Sequence, residues 1–160
     1  MAQAASQIDS KLFIEGIAYL LRETFEGSPE GQPSAYLDRG IGLFSTLEEV
    51  SAQQASRDFE DTTIAAQTEH AKFYLDRLCE FINGRTETVN WDDSWLIEDV
   101  DEQEWAALQL SVRKAYESCI LCLAIPRDWN QVQVGMAIGL VAHTAYHLGA
   151  IRQILKSTKQ

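Results

Sequence analysis

The stretch Ala142-His143-Thr144-Ala145-Tyr146-His147-Leu148-Gly149-Ala150-Ile151-Arg152 lies inside a segment, about Asn130 to Lys156, that contains no Asp or Glu. Wound as an α-helix, this segment is apolar on nearly all sides, with one stripe formed by Val134, Ile138, Val141, Ala145 and Leu148. A helix of that kind belongs in the middle of a helical fold, where every face meets another element. Gly135 and Gly139 lower its helix propensity, a cost expected where a neighbouring backbone approaches closely. His143 and His147 are four residues apart, so they share one face with Met136, Leu140 and Ile154, roughly opposite the Val141/Leu148 stripe.

Working outward, three more long helices are expected, and strand-like alternation is almost absent. The first runs from about Lys11 to Glu26, capped by Asp9 or Ser10 and ended by Gly27, with Phe13, Ile17, Leu20 and Leu21 on its apolar face. The next, about Thr62 to Asn83, carries Ile64, Thr68, Ala71, Leu75, Leu78 and Ile82 in one stripe and ends at Gly84. A third, about Asp101 to Ile125, opens with Asp101 and Glu104 at capping-box spacing and stops before Pro126. Between the first two lies a loop rich in glycine and proline from Gly27 to Gly40. A short helix near Leu43 to Val50 and a capping-box pair, Ser51 and Gln54, follow it. Together these patterns predict an all-α, four-helix bundle with a long first crossover containing a short extra helix, in a single domain spanning 1–160. Residues 1–10 are expected to be flexible.

Composition narrows the partners. Acidic residues number 24 against 13 basic, a net charge of −11, and no Lys/Arg cluster interrupts that field. Such a surface repels phosphate backbones and anionic lipid, so neither nucleic acid nor membrane is an expected partner. No signal-peptide pattern opens the chain, and no apolar run reads as long enough to span a bilayer, so a cytoplasmic location is expected. Cys79, Cys119 and Cys122 would stay reduced there.

The chain has only three histidines, and all fall at inward or near-inward helical positions. His143 and His147 can reach one ion together, with metal–nitrogen bonds of about 2.0–2.1 Å. His70, beside Gln67 and Tyr74 at the edge of the second long helix's stripe, can add a third imidazole from a facing helix. The alternative is three core histidines satisfied by hydroxyl or backbone partners, since uncompensated imidazole nitrogens in an apolar core are costly.

Glu69-His70-Ala71-Lys72-Phe73-Tyr74, with the histidine pair and the Gly149-Ala150-Ile151-Arg152 segment that follows it, resembles the DinB/YfiT-like metalloenzyme family. The resemblance covers about residues 11 to 156, including the helix order and the long first crossover. It implies a four-helix bundle in which His70, His143 and His147 hold nickel or zinc, with iron or manganese as other candidates. It further implies a homodimer, and for some members a transferase or isomerase that uses a low-molecular-weight thiol.

Three neutral ligands leave a divalent ion's charge uncompensated and a coordination position open, the arrangement of catalytic rather than structural sites. Such an ion can acidify water, which suits a hydrolase, or a thiol, which suits S-transfer to a small-molecule substrate. A non-catalytic metal- or small-ligand-binding bundle is a further reading. No general base is assigned: Glu69 and Asp76 are expected to point away from the core stripe. Gln67 and Tyr74 are candidates for supporting or lining the site. Cys119 and Cys122, in phase with Trp105 and Val112, read as small core residues. The acidic and aromatic stretch from Trp91 to Trp105 is expected either to plug the bundle end or to cover the pocket. An acid-free last helix excludes a ferritin-like di-iron site, which needs carboxylates and Glu-x-x-His pairs. No Cys-x-x-Cys-His motif supports haem.

Overall fold

A computed structural model describes residues 9–158. Its regular elements among these residues are α1 (Ser10–Glu26), α2 (Leu43–Glu48), α3 (Ala52–Ala55), α4 (Ile64–Ile82), a 3₁₀ turn (Trp91–Ser94), α5 (Glu102–Ala124) and α6 (Gln131–Thr158). The all-α expectation holds. The expected flexibility of residues 1–8 lies outside the described residues, whereas Asp9 and Ser10 cap and open α1.

The long helices begin where the sequence supplies an oxygen for their unpaired first N–H groups. Asp9 accepts from Lys11 N at 2.9 Å and Thr63 from Ala66 N at 3.0 Å. Asp101 and Glu104 exchange reciprocal bonds of 2.8 and 2.9 Å, and Asn130 and Gln133 do the same at 2.9 and 3.1 Å. Helix α5 stops one residue short of the expected end. Ile125 turns to ψ 120°, the extended geometry that a following proline imposes.

The crossover holds two short helices where one was expected, because the Ser51–Gln54 capping box starts α3 separately. Its path back to α1 is tight. Gly27 sits at φ +81°, and a Cβ on Gly42 would fall 2.6 Å from Gly27 N, so the two glycines permit the backbones to touch. Glu23, buried on α1, fastens the same loop by accepting from Ala35 N (2.8 Å), Tyr36 N (3.0 Å), Leu37 N (2.8 Å) and Ser34 Oγ (2.7 Å). Burial alone would raise this carboxyl's pKa. The four donors outweigh that effect and hold it at about 2.

The four long helices touch in a ring, α4 on α6 and α5, and α1 on both of those. They enclose one core that includes Leu21, Phe25, Ile64, Leu75, Ile82, Leu140, Leu148 and Ile151. Burying each such side chain favours folding by about 1.5–3 kcal/mol.

The last helix departs from expectation. Its buried face is Ala137, Leu140, Thr144, His147, Leu148, Ile151, Ile154 and Leu155; of the predicted stripe only Leu148 is buried, and Ile138 is 46% exposed. Nor is α6 surrounded: it packs on α4 and α1 and leaves Val132 and Tyr146 open. Gly135 has nothing within 4 Å of where a Cβ would stand, and Gly139 meets the Leu78 side chain rather than a backbone. Contrary to the sequence reading, α6 is also long and apolar enough to cross a bilayer by length and composition, with a mean hydropathy of 1.4. In this fold one of its faces is spent on core contacts with α4 and α1.

Candidate metal centre

Helix α4 delivers His70 and α6 delivers His143 and His147, across the contact between those two helices. The ring centroids stand 4.4 Å (His143–His147), 4.8 Å (His70–His147) and 5.0 Å (His70–His143) apart. Each ring offers one nitrogen, and these ligand atoms lie within 4.8 Å of one another. The structure thus brings together the three histidines that the sequence singles out, in a group able to hold a metal ion.

Hydrogen bonding decides which nitrogen two of the rings offer. Ser94 Oγ donates its proton to Trp91 O (2.6 Å), so toward His70 Nδ1, at 2.7 Å, it can only accept. His70 therefore carries its proton on Nδ1 and leaves Nε2 as a lone pair. Gln67 does the same for His147. Its Nε2 donates to Thr62 Oγ1 (3.0 Å), which turns Oε1 onto His147 Nδ1 at 2.6 Å. Orienting bonds of this kind on the far nitrogen are characteristic of metal-ligating histidines. The Nε2 atoms of His143 and His147 are buried and have no hydrogen-bond partner among the described residues. Burial without a partner normally costs about 1–3 kcal/mol per group, so a core of merely structural histidines is a poor account of both atoms.

The rings are also held neutral. Burial lowers the pKa of all three, taking His143 to about 4 and His147 to about 3, with the neighbouring imidazoles adding to the effect for those two. Neutral imidazole is the ligating form.

Tyr74 stacks on His143 with centroids 3.5 Å apart and planes at 17°. Both residues suggested as neighbours of the site thus contact a histidine, Gln67 through a hydrogen bond and Tyr74 through its ring face. Asp76 pairs with Lys72 at 2.7 Å, away from the histidines. Glu69, expected to point away from the core stripe, holds the loop above the site: its Oε2 accepts from the backbone N–H of Leu96 (2.8 Å) and Ile97 (2.7 Å). That anchor lays Trp95 flat on His70, 4.0 Å between centroids and 15° between planes. Trp91 packs beside Tyr74 at 5.3 Å. The acidic and aromatic stretch therefore covers the histidines, while Trp91 and Trp95 remain 41% and 44% exposed.

Sequence reasoning missed Ser94 and the anchoring role of Glu69, whereas Trp95 belongs to the stretch expected to plug the bundle end or cover the pocket. Asn90, whose side chain caps the 3₁₀ turn at Asp92 N, marks a turn there, but no spacing rule ties Ser94 to a histidine on another element. Beyond Gln67 and Trp95 opens a cavity of about 900 Å³. Asp58, Asp61, Glu98 and Asp99 line it, with no Lys, Arg or His among its lining residues.

Comparison with protein-family models, with curated proteins and with solved structures finds no match in any of the three.

Proposed function

We propose that this chain is a mononuclear metal-dependent enzyme with a DinB/YfiT-like four-helix-bundle architecture, whose ion is held by His70, His143 and His147. The observation that carries the reading is the pair of buried, unpartnered Nε2 atoms on His143 and His147, set beside a His70 whose Nδ1–H is already committed to Ser94. Nickel and zinc are among the metals that imidazole ligands suit. When bound, such an ion supplies Lewis acidity that makes a thiol or a water molecule reactive near neutral pH.

The remaining steps belong to the chain. Ser94 and Gln67 fix two imidazole tautomers, and Trp95 and Tyr74 wall the site with aromatic surface that excludes bulk water. We assign the reaction to S-transfer or isomerisation with a low-molecular-weight thiol, on the strength of the sequence resemblance. The four carboxylates of the neighbouring cavity favour an electrophile that is neutral or positively charged, because an anion entering there meets only like charge.

Elemental analysis of untagged protein after repletion with zinc or nickel tests the metal reading. About one equivalent is expected, and His143→Ala should lose it; less than roughly a tenth of an equivalent overturns the reading. Incubating the loaded protein with cellular thiols and alkyl or epoxide electrophiles then separates enzyme from binder. A metal-dependent thioether product supports turnover. Stoichiometric metal without product across the panel favours a non-catalytic metal-binding bundle, and metal-dependent ester cleavage a hydrolase.

A further inference from the structure

On the side of α4 that faces α5, away from the histidines, lie all three cysteines. Cys79 comes from α4 and Cys119 and Cys122 from α5, and all three are buried, at 8%, 0% and 3% exposure. Cys79 Sγ and Cys119 Sγ are 2.6 Å apart. A disulfide closes at about 2.0 Å, so these two sulfurs need only a small further approach to bond. Cys122 also borders Cys79, with its Sγ 3.9 Å from Cys79 O, but the short sulfur–sulfur contact is the one between Cys79 and Cys119. Cys122 Sγ further lies 3.5 Å from Asn83 Oδ1 and 3.9 Å from Arg127 Nη2.

The spacing Cys-x-x-Cys draws attention to Cys119 and Cys122 as a pair, but the close contact joins Cys119 to a residue 40 positions earlier. We propose that Cys79 and Cys119 form a disulfide that staples α4 to α5, leaving Cys122 as the free thiol.

The chemistry needs a two-electron oxidant, and a hydroperoxide suffices. The O–O bond breaks and the S–S bond forms. The two thiol protons leave with the two oxygens, so hydrogen peroxide and two thiols give one disulfide and two molecules of water. Arg127 also lines a cavity of about 420 Å³ between α1 and the end of α5, a space that admits a molecule of peroxide's size. Contact with Cys119, then burial, pushes the Cys79 thiol pKa upward, and contact with Cys79, then burial, does the same for Cys122, so these two thiols are seldom ionised at neutral pH. The staple accordingly forms slowly and lasts, unlike an exposed low-pKa redox sensor.

The test uses the full chain, stripped of metal so that bound ions do not catalyse side oxidation. Reduced protein is exposed to hydrogen peroxide, unfolded, alkylated and analysed without reductant. The expected result is an intact mass lower by two hydrogens before alkylation, one alkylated cysteine, and reversal by dithiothreitol. Cys119 and Cys122 fall in one tryptic peptide, residues 115–127, so Cys122→Ala identifies the partner. That variant should still link to Cys79, whereas Cys119→Ala should not. Oxidised wild type should also melt roughly 5–15 °C above the reduced form, because the staple closes a long loop. Three alkylated cysteines after oxidation overturn the proposal even if both variants fail to fold. So does a stable Cys79–Cys122 link, or a Cys122→Ala protein that no longer cross-links.

Discussion

Ser94 Oγ is the acceptor that keeps the His70 proton on Nδ1, and it comes from a turn 24 residues further along the chain. Replacing Ser94 with Ala removes that acceptor while leaving His70 in place. The imidazole can then take the other tautomer, whose Nε2 carries a proton and cannot ligate. Metal affinity should fall about 10–100-fold, measured by competition with a chromophoric chelator, while far-UV circular dichroism stays unchanged. An unaltered affinity would mean that the hydroxyl does not set the ring. At this scale the grouping of the three histidines was legible because spacing of four on one helix forces His143 and His147 together, and a near-inward phase places His70 opposite. Ser94 and the Glu69 anchor were not legible, and Trp95 only as part of a stretch with two open roles, because their contacts depend on where a loop is anchored, and no periodicity encodes that.

Among the elements, α1 with the crossover it holds offers a test of buried charge. Four donors converge on Glu23, so Glu23→Ala should cost about 2–4 kcal/mol in urea unfolding at pH 7, through lost charge-assisted bonds and stranded N–H groups. The pH dependence follows from the sign of the shift. The folded pKa of about 2 lies below the ordinary value of 4.5, so the carboxylate's contribution is complete above about pH 4.5. It is lost as the pH falls from there toward 2. Wild type and Glu23→Ala should therefore converge in stability across that window; a gap that persists at pH 2 would show that packing, not charge, carries the difference. Neither Glu23 nor this loop geometry was visible in sequence, where Glu23 reads as one acidic residue among many. Helix boundaries were readable to within two residues, because the caps Asp9, Thr63, Asp101 and Asn130 act locally. The inner face of α6 was readable only in part: Leu140, His147 and Ile154 are buried, as the histidine-bearing face predicts, whereas of the stripe through Val141 and Leu148 only Leu148 is. A helix apolar on every side gives hydrophobicity no phase to report, and here the polar Thr144 and His147 point inward while Ile138 points out.

For the whole molecule, the histidine site and the fold's stability are coupled. The three imidazoles come from α4 and α6, which form one wall of the core, so an ion bound there ties two helices that unfolding must separate. An ion taken up there as proposed would bind the native chain and not the unfolded one, where no such trio is assembled. Free zinc at a thousand times its dissociation constant should add about 4 kcal/mol. For a chain of this size that corresponds to a rise in melting temperature of roughly 8–16 °C. Calorimetry on metal-free and zinc-loaded protein measures the rise, and a chelator should reverse it. The acidic surface is the competing explanation, since a net charge of −11 attracts any divalent cation. Magnesium and His143→Ala discriminate between the two. Oxygen-preferring magnesium should give little shift on the wild type, and zinc should give little on the variant. An equal zinc shift in both proteins would place the stabilising ion on carboxylates and remove the histidines from the account.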